Sequence, residues 1–169
     1  MIMRWFCATA LAVVIAVPTA RAQDFPKPGP EHEHLKKLEG TWDATVMGQE
    51  SKGTMTYKMD VGGLWLTSNY EGEFGGAKFH GKGFDSYDAG KKKYVSVWVD
   101  NLITSPRFME GTYDKDKKTL TMTGDGAGPG GTVKFKSVTT YKDDDSIVYD
   151  LYMGDAKEPV VTIAYKRRK

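Results

Sequence analysis

Cysteine is all but missing. Of 169 residues only Cys7 is one, and it lies in an N-terminal apolar run. No disulfide can brace the rest of the chain, so stability has to come from a packed core. Long apolar runs are equally scarce: Trp5 to Val17 covers about 13 residues, short of the ~20 that a membrane-spanning helix needs. A basic stripe is absent, and the formal charge of +2 falls to zero once Arg4 and Arg21 are removed, which argues against a nucleic-acid surface. The terminal Lys166-Arg167-Arg168-Lys169 is a short solvated exception. Arginine is rare as well, with Arg107 standing alone between Arg21 and Arg167. Beyond residue 40, helical periodicity disappears too.

What is present begins with a targeting pattern. Arg4 supplies a positive start, Trp5 to Val17 an apolar centre, and Ala20-Arg21-Ala22 a small-x-small cleavage site. Residues 1–22 therefore read as a signal peptide. The mature protein is expected to be exported, periplasmic or secreted, with no stable membrane insertion after cleavage. Residues 23–30 read as a proline-rich leader and residues 31–169 as a single domain.

Pro30 suits the first position of a helix, because its missing N–H would find no partner there. Glu31 and Glu33 match the positive end of the helix dipole, and Lys36 and Lys37 the negative end. Leu35 and Leu38 make a narrow apolar stripe, and Gly40 a left-handed stop, giving a helix of nine or ten residues. So short a helix cannot stand alone in water and must dock, most simply on an open barrel end.

From Thr41 onward the period is two. Strands are expected at about 41–48, 53–60, 64–73, 77–87, 93–103, 106–113, 118–124, 132–142, 146–153 and 159–167. Leu120 and Met122 alternate with threonines, and Val133 and Phe135 with lysines, as in antiparallel strands with one wet face. Asp- and Gly-rich turns separate the strands, and Gly124 to Gly131 reads as a long flexible hairpin loop. About ten short strands leave two edges unless the sheet closes. The fold class is thus all-β: a closed or nearly closed, up-and-down antiparallel barrel with one short N-terminal helix.

Gly40-Thr41-Trp42 after a short helix resembles the G-x-W opening of lipocalins. A second likeness runs across nearly the whole of residues 23–169. Pro28-Gly29-Pro30-Glu31-His32, Leu35, Leu38, Gly40-x-Trp42, Gly63-x-Trp65-Leu66, Tyr87-Asp88, Lys92-Lys93-Tyr94, Trp98-Val99-Asp100 and Glu110-Gly111-Thr112-Tyr113-Asp114 resemble a family of exported bacterial proteins. That family is a domain of unknown function with a lipocalin-like, calycin-like barrel. The resemblance implies the fold and the exported address and supplies no reaction. The likeness to lipocalins implies structural roles for Gly40, Trp42 and the late arginine Arg167. With an even strand count the last strand returns beside the first, and Arg167, sharing parity with Val161, Ile163 and Tyr165, is expected over the Trp42 indole. Arg168 then faces solvent.

The candidate site is the barrel interior. Tyr57, Tyr70, Phe79, Trp98, Phe108, Tyr149 and Tyr165 supply aromatic surface, and Met47, Met55, Met59, Met109, Met122 and Met153 a pliable lining. Eight strands can be filled by side chains, whereas ten leave room. The expected ligand is a small apolar or amphipathic molecule, posed by Asp100, Glu110 and Arg107. An enzyme using Arg107, Glu110 and a tyrosine for acid–base work is the alternative, since arginine offers a planar fork that lysine lacks. No nucleophile-plus-base pair is visible.

His32 and His34 are weak metal candidates, because a separation of two on a helix points them apart. His80 has no second ligand signal for haem, and no cofactor is expected. Gly76-x-x-x-x-Gly81-Lys82 mimics a phosphate loop, but Gly83 replaces the magnesium-binding hydroxyl and the stretch reads as strand. The fifth strand, Tyr94 to Asn101, is largely apolar on both faces. One face must line the barrel, and the other is free for a homodimer contact.

Overall fold

The computed structural model describes residues 25–49, 51–128 and 130–169. The expected signal segment lies outside the described residues. Among the described residues one helix, α1 (Pro30–Lys36), precedes ten strands: β1 (Gly40–Val46), β2 (Lys52–Asp60), β3 (Trp65–Phe74), β4 (Ala77–Asp88), β5 (Lys93–Asp100), β6 (Arg107–Asp114), β7 (Thr119–Gly128), β8 (Gly131–Asp143), β9 (Ser146–Met153) and β10 (Val161–Arg167). Each strand pairs antiparallel with its sequence neighbour, and β10 returns to β1, closing the barrel with no free edge. No helix of the described residues is long and apolar enough to cross a membrane.

Short local bonds fold the chain back at three of the hairpins. Asp88 Oδ1 accepts from the N–H groups of Gly90 and Lys91, Asp114 Oδ1 from Asp116 and Lys117, and Asp143 Oδ1 from Asp145. These are Asx-type turns, in which a short carboxylate replaces a backbone acceptor. The β2–β3 link is a 3₁₀ turn, Val61–Gly63.

Two elements differ from the sequence reading. The helix is seven residues, ending at Lys36, with Leu38 and Glu39 N–H groups continuing as turn bonds to Leu35 and Lys36 carbonyls. Gly40 is the first residue of β1, at φ +118°, rather than a helix stop. The glycine-rich stretch is also no long loop. β7 runs through Gly124 and Gly126 to Gly128, registering Gly124 with Phe135 and Gly128 with Gly131. At Gly126 a Cβ would stand 2.9 Å from the Phe135 ring, so the missing side chain makes room for an inward aromatic instead of conferring freedom.

The helix plugs one end. His32 and Leu35 are buried, and Leu35 and Leu38 join Trp42, Leu66, Tyr94 and Tyr165 in the core. Trp42 is 1 % exposed, and its indole N–H donates to the Leu38 carbonyl at 2.8 Å. Register fixes the last link: Trp42 lies opposite Arg167, whose Cζ sits 4.1 Å from the indole centroid. The same guanidinium donates to the carbonyls of Lys37, Glu39 and Asp144 and pairs with Asp145 at 3.1 Å. Arg168 points the other way, to Asp43 and Thr54 on the outside.

Candidate functional site

Ten strands enclose a cavity of about 710 Å³ that opens at the end opposite α1. Its walls follow from parity. On β5, Tyr94, Ser96, Trp98 and Asp100 face in, while Val97 and Val99 face out. On β6, Arg107 and Met109 face in, while Phe108 and Glu110 face out. The mouth carries Leu102 and Ile103 from the β5–β6 loop and Val160 ahead of β10, all partly exposed.

Of the residues singled out in the sequence, Tyr57, Tyr70, Phe79, Trp98, Asp100, Arg107, Met109 and Tyr149 line this one cavity. Tyr165, Met55, Met122 and Met153 line it too. Three expectations are corrected. Phe108 is 58 % exposed on the outer face and Met47 is 56 % exposed beyond the end of β1, so neither lines the interior. Glu110 lies three residues from Arg107, hence on the opposite face, where Lys91 and Lys93 bond both its oxygens. Those ammonium groups hold its carboxyl below the usual range. An Arg107–Glu110 acid–base pair is therefore excluded by strand parity.

The pseudo-phosphate glycines have a different use. Trp98 lies against β4, where a Cβ on Gly81 would come within 2.1 Å of the indole and one on Gly83 within 3.1 Å. Two glycines thus let the indole lie flat on the wall, with its N–H donated to Asp100 Oδ2 at 3.0 Å. The other Asp100 oxygen accepts from the Leu102 N–H at 2.9 Å.

Arg107 is arranged differently. Its Cζ stands 4.2 Å from the Phe135 ring centroid, and its Nε is buried with no hydrogen-bond partner. Among the described residues it makes no ion pair. Its charge opposes the burial that raises Tyr149.

Deeper in lies a group the sequence reading missed. Asp85 lines the cavity on β4, registered opposite Ser96. Protein surrounds it, part of its surface is left to the cavity, and burial pushes its carboxyl up to about 6 against a stabilising bond from Ser96. Its charge in turn raises Tyr57, Tyr141 and Tyr149, after burial itself. Parity was the available signal: Phe79, Gly81, Gly83 and Asp85 share one face, although Phe84 beside it is the residue one expects inside.

The histidines do not meet. His32 Nδ1 accepts the Gly29 N–H at 3.0 Å, fixing the helix start. His34 packs among Tyr113 (4.1 Å between centroids), Tyr141 and Tyr94, and burial lowers its pKa. His80 is at the surface beside Glu71. The described residues contain no group of three or more metal-ligating side chains.

The arrangement can therefore enclose a molecule, offer it aromatic and thioether walls, and present one cation, Arg107, and two carboxyls, Asp85 and Asp100. A family model described as a protein of unknown function (DUF1579) matches residues 27–167. No curated protein matches the chain.

Proposed function

We propose, for a chain that belongs to the DUF1579 family and so inherits no assigned reaction, that the barrel is a non-catalytic carrier of a small apolar or amphipathic molecule. The observation that carries this reading is the cavity: about 710 Å³, enclosed by aromatic and methionine side chains and open at one end. Ligand sites of this kind occupy roughly 300–1,000 Å³. The apolar mouth at Leu102, Ile103 and Val160 gives such a molecule a path of low desolvation cost. The signal-like N-terminus supports work outside the cytoplasm, where lipophilic molecules need a soluble container.

The test is uptake of N-phenyl-1-naphthylamine, a neutral dye that brightens in apolar surroundings, with native mass spectrometry of protein purified from its own cells. Saturable uptake of one dye per chain is expected. Ser96→Phe, which fills the cavity from its wall, should abolish uptake, and Phe108→Ser on the outer face should leave it unchanged. No uptake, or uptake lost only with Phe108, sinks the reading.

We also propose that a second copy of the chain covers the outside of β4–β6. Register sets Phe84, Val97 and Phe108 in one row across three strands, with Val99 beside them. The rim mixes signs, Lys82 opposite Val99 and Glu110 with its two lysines opposite Val95, so two copies can face each other without a like-charge barrier.

A further inference from the structure

Arginine cannot shed its proton inside a protein, so a guanidinium facing a cavity keeps its charge and its five donors whatever surrounds it. The two carboxyls of this cavity are provided for. Asp100 spends both oxygens on Trp98 and Leu102, and Asp85 is opposed by Ser96. Arg107 is left with the face of Phe135 and an unpartnered buried Nε. Among the described residues none pairs with it: Trp98 lies opposite on β5, Gly126 on β7 and Phe135 on β8, and Asp100, two residues along β5 from Trp98, has its oxygens on Trp98 and Leu102 instead. Arg107 is half-buried with its Nε shut off from solvent, and a charged group so placed without a partner is costly unless something completes it.

We infer that Arg107 is the anchor for an anionic head group, which makes the ligand an amphiphile carrying a single carboxylate or sulfonate-type anion. This rests on the carrier reading above. Position sets the orientation. Arg107 starts β6 at the open end, just inside the Leu102–Ile103 rim. Asp85 lies two strands and two register positions deeper, on the order of 10 Å away by strand geometry. Its carboxyl repels a second anion there. The ligand therefore enters tail first, its apolar part among the tyrosines and methionines and its anion at the mouth, in reach of a bidentate fork.

Two dyes that differ by one sulfonate separate the possibilities: 8-anilinonaphthalene-1-sulfonate and the neutral N-phenyl-1-naphthylamine. The wild-type protein is expected to hold the sulfonate dye about tenfold tighter, the gain of a charge-assisted hydrogen-bond pair. Arg107→Gln should bring the two dyes' affinities to within about twofold of each other, and Arg107→Lys should restore only part of the sulfonate advantage, since lysine has the charge without the fork. Decanoate should displace the neutral dye from the wild type better than decanol does, and no better from Arg107→Gln. Should Arg107→Gln melt far below the wild type, the decanoate-to-decanol ratio on wild-type protein decides. Neutral-dye uptake without any sulfonate or carboxylate advantage overturns the anchor and leaves the carrier standing. Uptake of neither dye overturns both.

Discussion

Asp85 is a carboxyl that the fold holds against its preference. Burial lifts it to about 6, whereas an unfolded chain leaves it near 3.9. The folded state thus binds this proton more tightly. The group's favourable contribution is complete below pH ~4 and is lost as pH rises through about 6. At roughly 1.4 kcal/mol per pH unit, that loss comes to about 3 kcal/mol by neutral pH. Glu110, Asp114 and Asp143, held low by lysines or turn N–H groups, work in the opposite sense, so only a difference between variants isolates Asp85. Asp85→Asn is expected to melt higher than wild type at pH 7.5 and alike at pH 4. A wild type that melts higher at pH 7.5 would show the carboxylate to be stabilised instead. The residue could be placed by counting parity from Phe79. Its consequence was not legible, because the cost arises from how many strands close around it.

Among elements, the helix plug depends most on one side chain far away in sequence. Arg167, on β10, binds carbonyls at the C-terminal end of α1 and just beyond it, covers Trp42 on β1 and holds the β8–β9 turn at Asp144 and Asp145. Its side chain is 24 % exposed, so solvent screens little of this. A cation–π contact is worth about 0.5–2 kcal/mol and charged hydrogen bonds somewhat more, so Arg167→Ala should cost about 2–4 kcal/mol. Arg168→Ala, removing only an exposed pair with Asp43, should leave the melting temperature nearly unchanged. Equal melting of the two variants would refute the latch. G-x-W, the strand count and β10 parity bring Arg167 to Trp42 from sequence alone. By contrast, β7 hides its second half, since glycine there carries no periodicity and only the packing of Phe135 explains it.

For the whole molecule, closing the barrel sends half of every strand's side chains outward, and most are lysines, threonines and acids. The outside of β4–β6 departs from this: Phe84, Val99 and Phe108 are 44, 43 and 58 % exposed. The fifth strand's apolar character on both faces was plain from its residues. Which face points out was not, because Val97 and Trp98 are equally suited to a core; the closure of Trp98 onto Gly81 and Gly83 decides it. Contiguous apolar surface of this kind marks association, and an antiparallel sheet face suits a two-fold contact with itself. The protein is expected to run as a dimer in size exclusion with light scattering. Phe108→Lys should make it monomeric and lower its melting temperature by no more than the loss of association accounts for, because Phe108 contributes little to the interior. A monomeric wild type at high concentration, or a dimer that survives Phe108→Lys, would remove this interface. Its position matters for the cavity as well: β4–β6 pack side to side, whereas the mouth lies at the barrel's end, so a dimer formed there leaves both openings clear. The monomeric variant and the dimer should therefore take up the same one dye per chain.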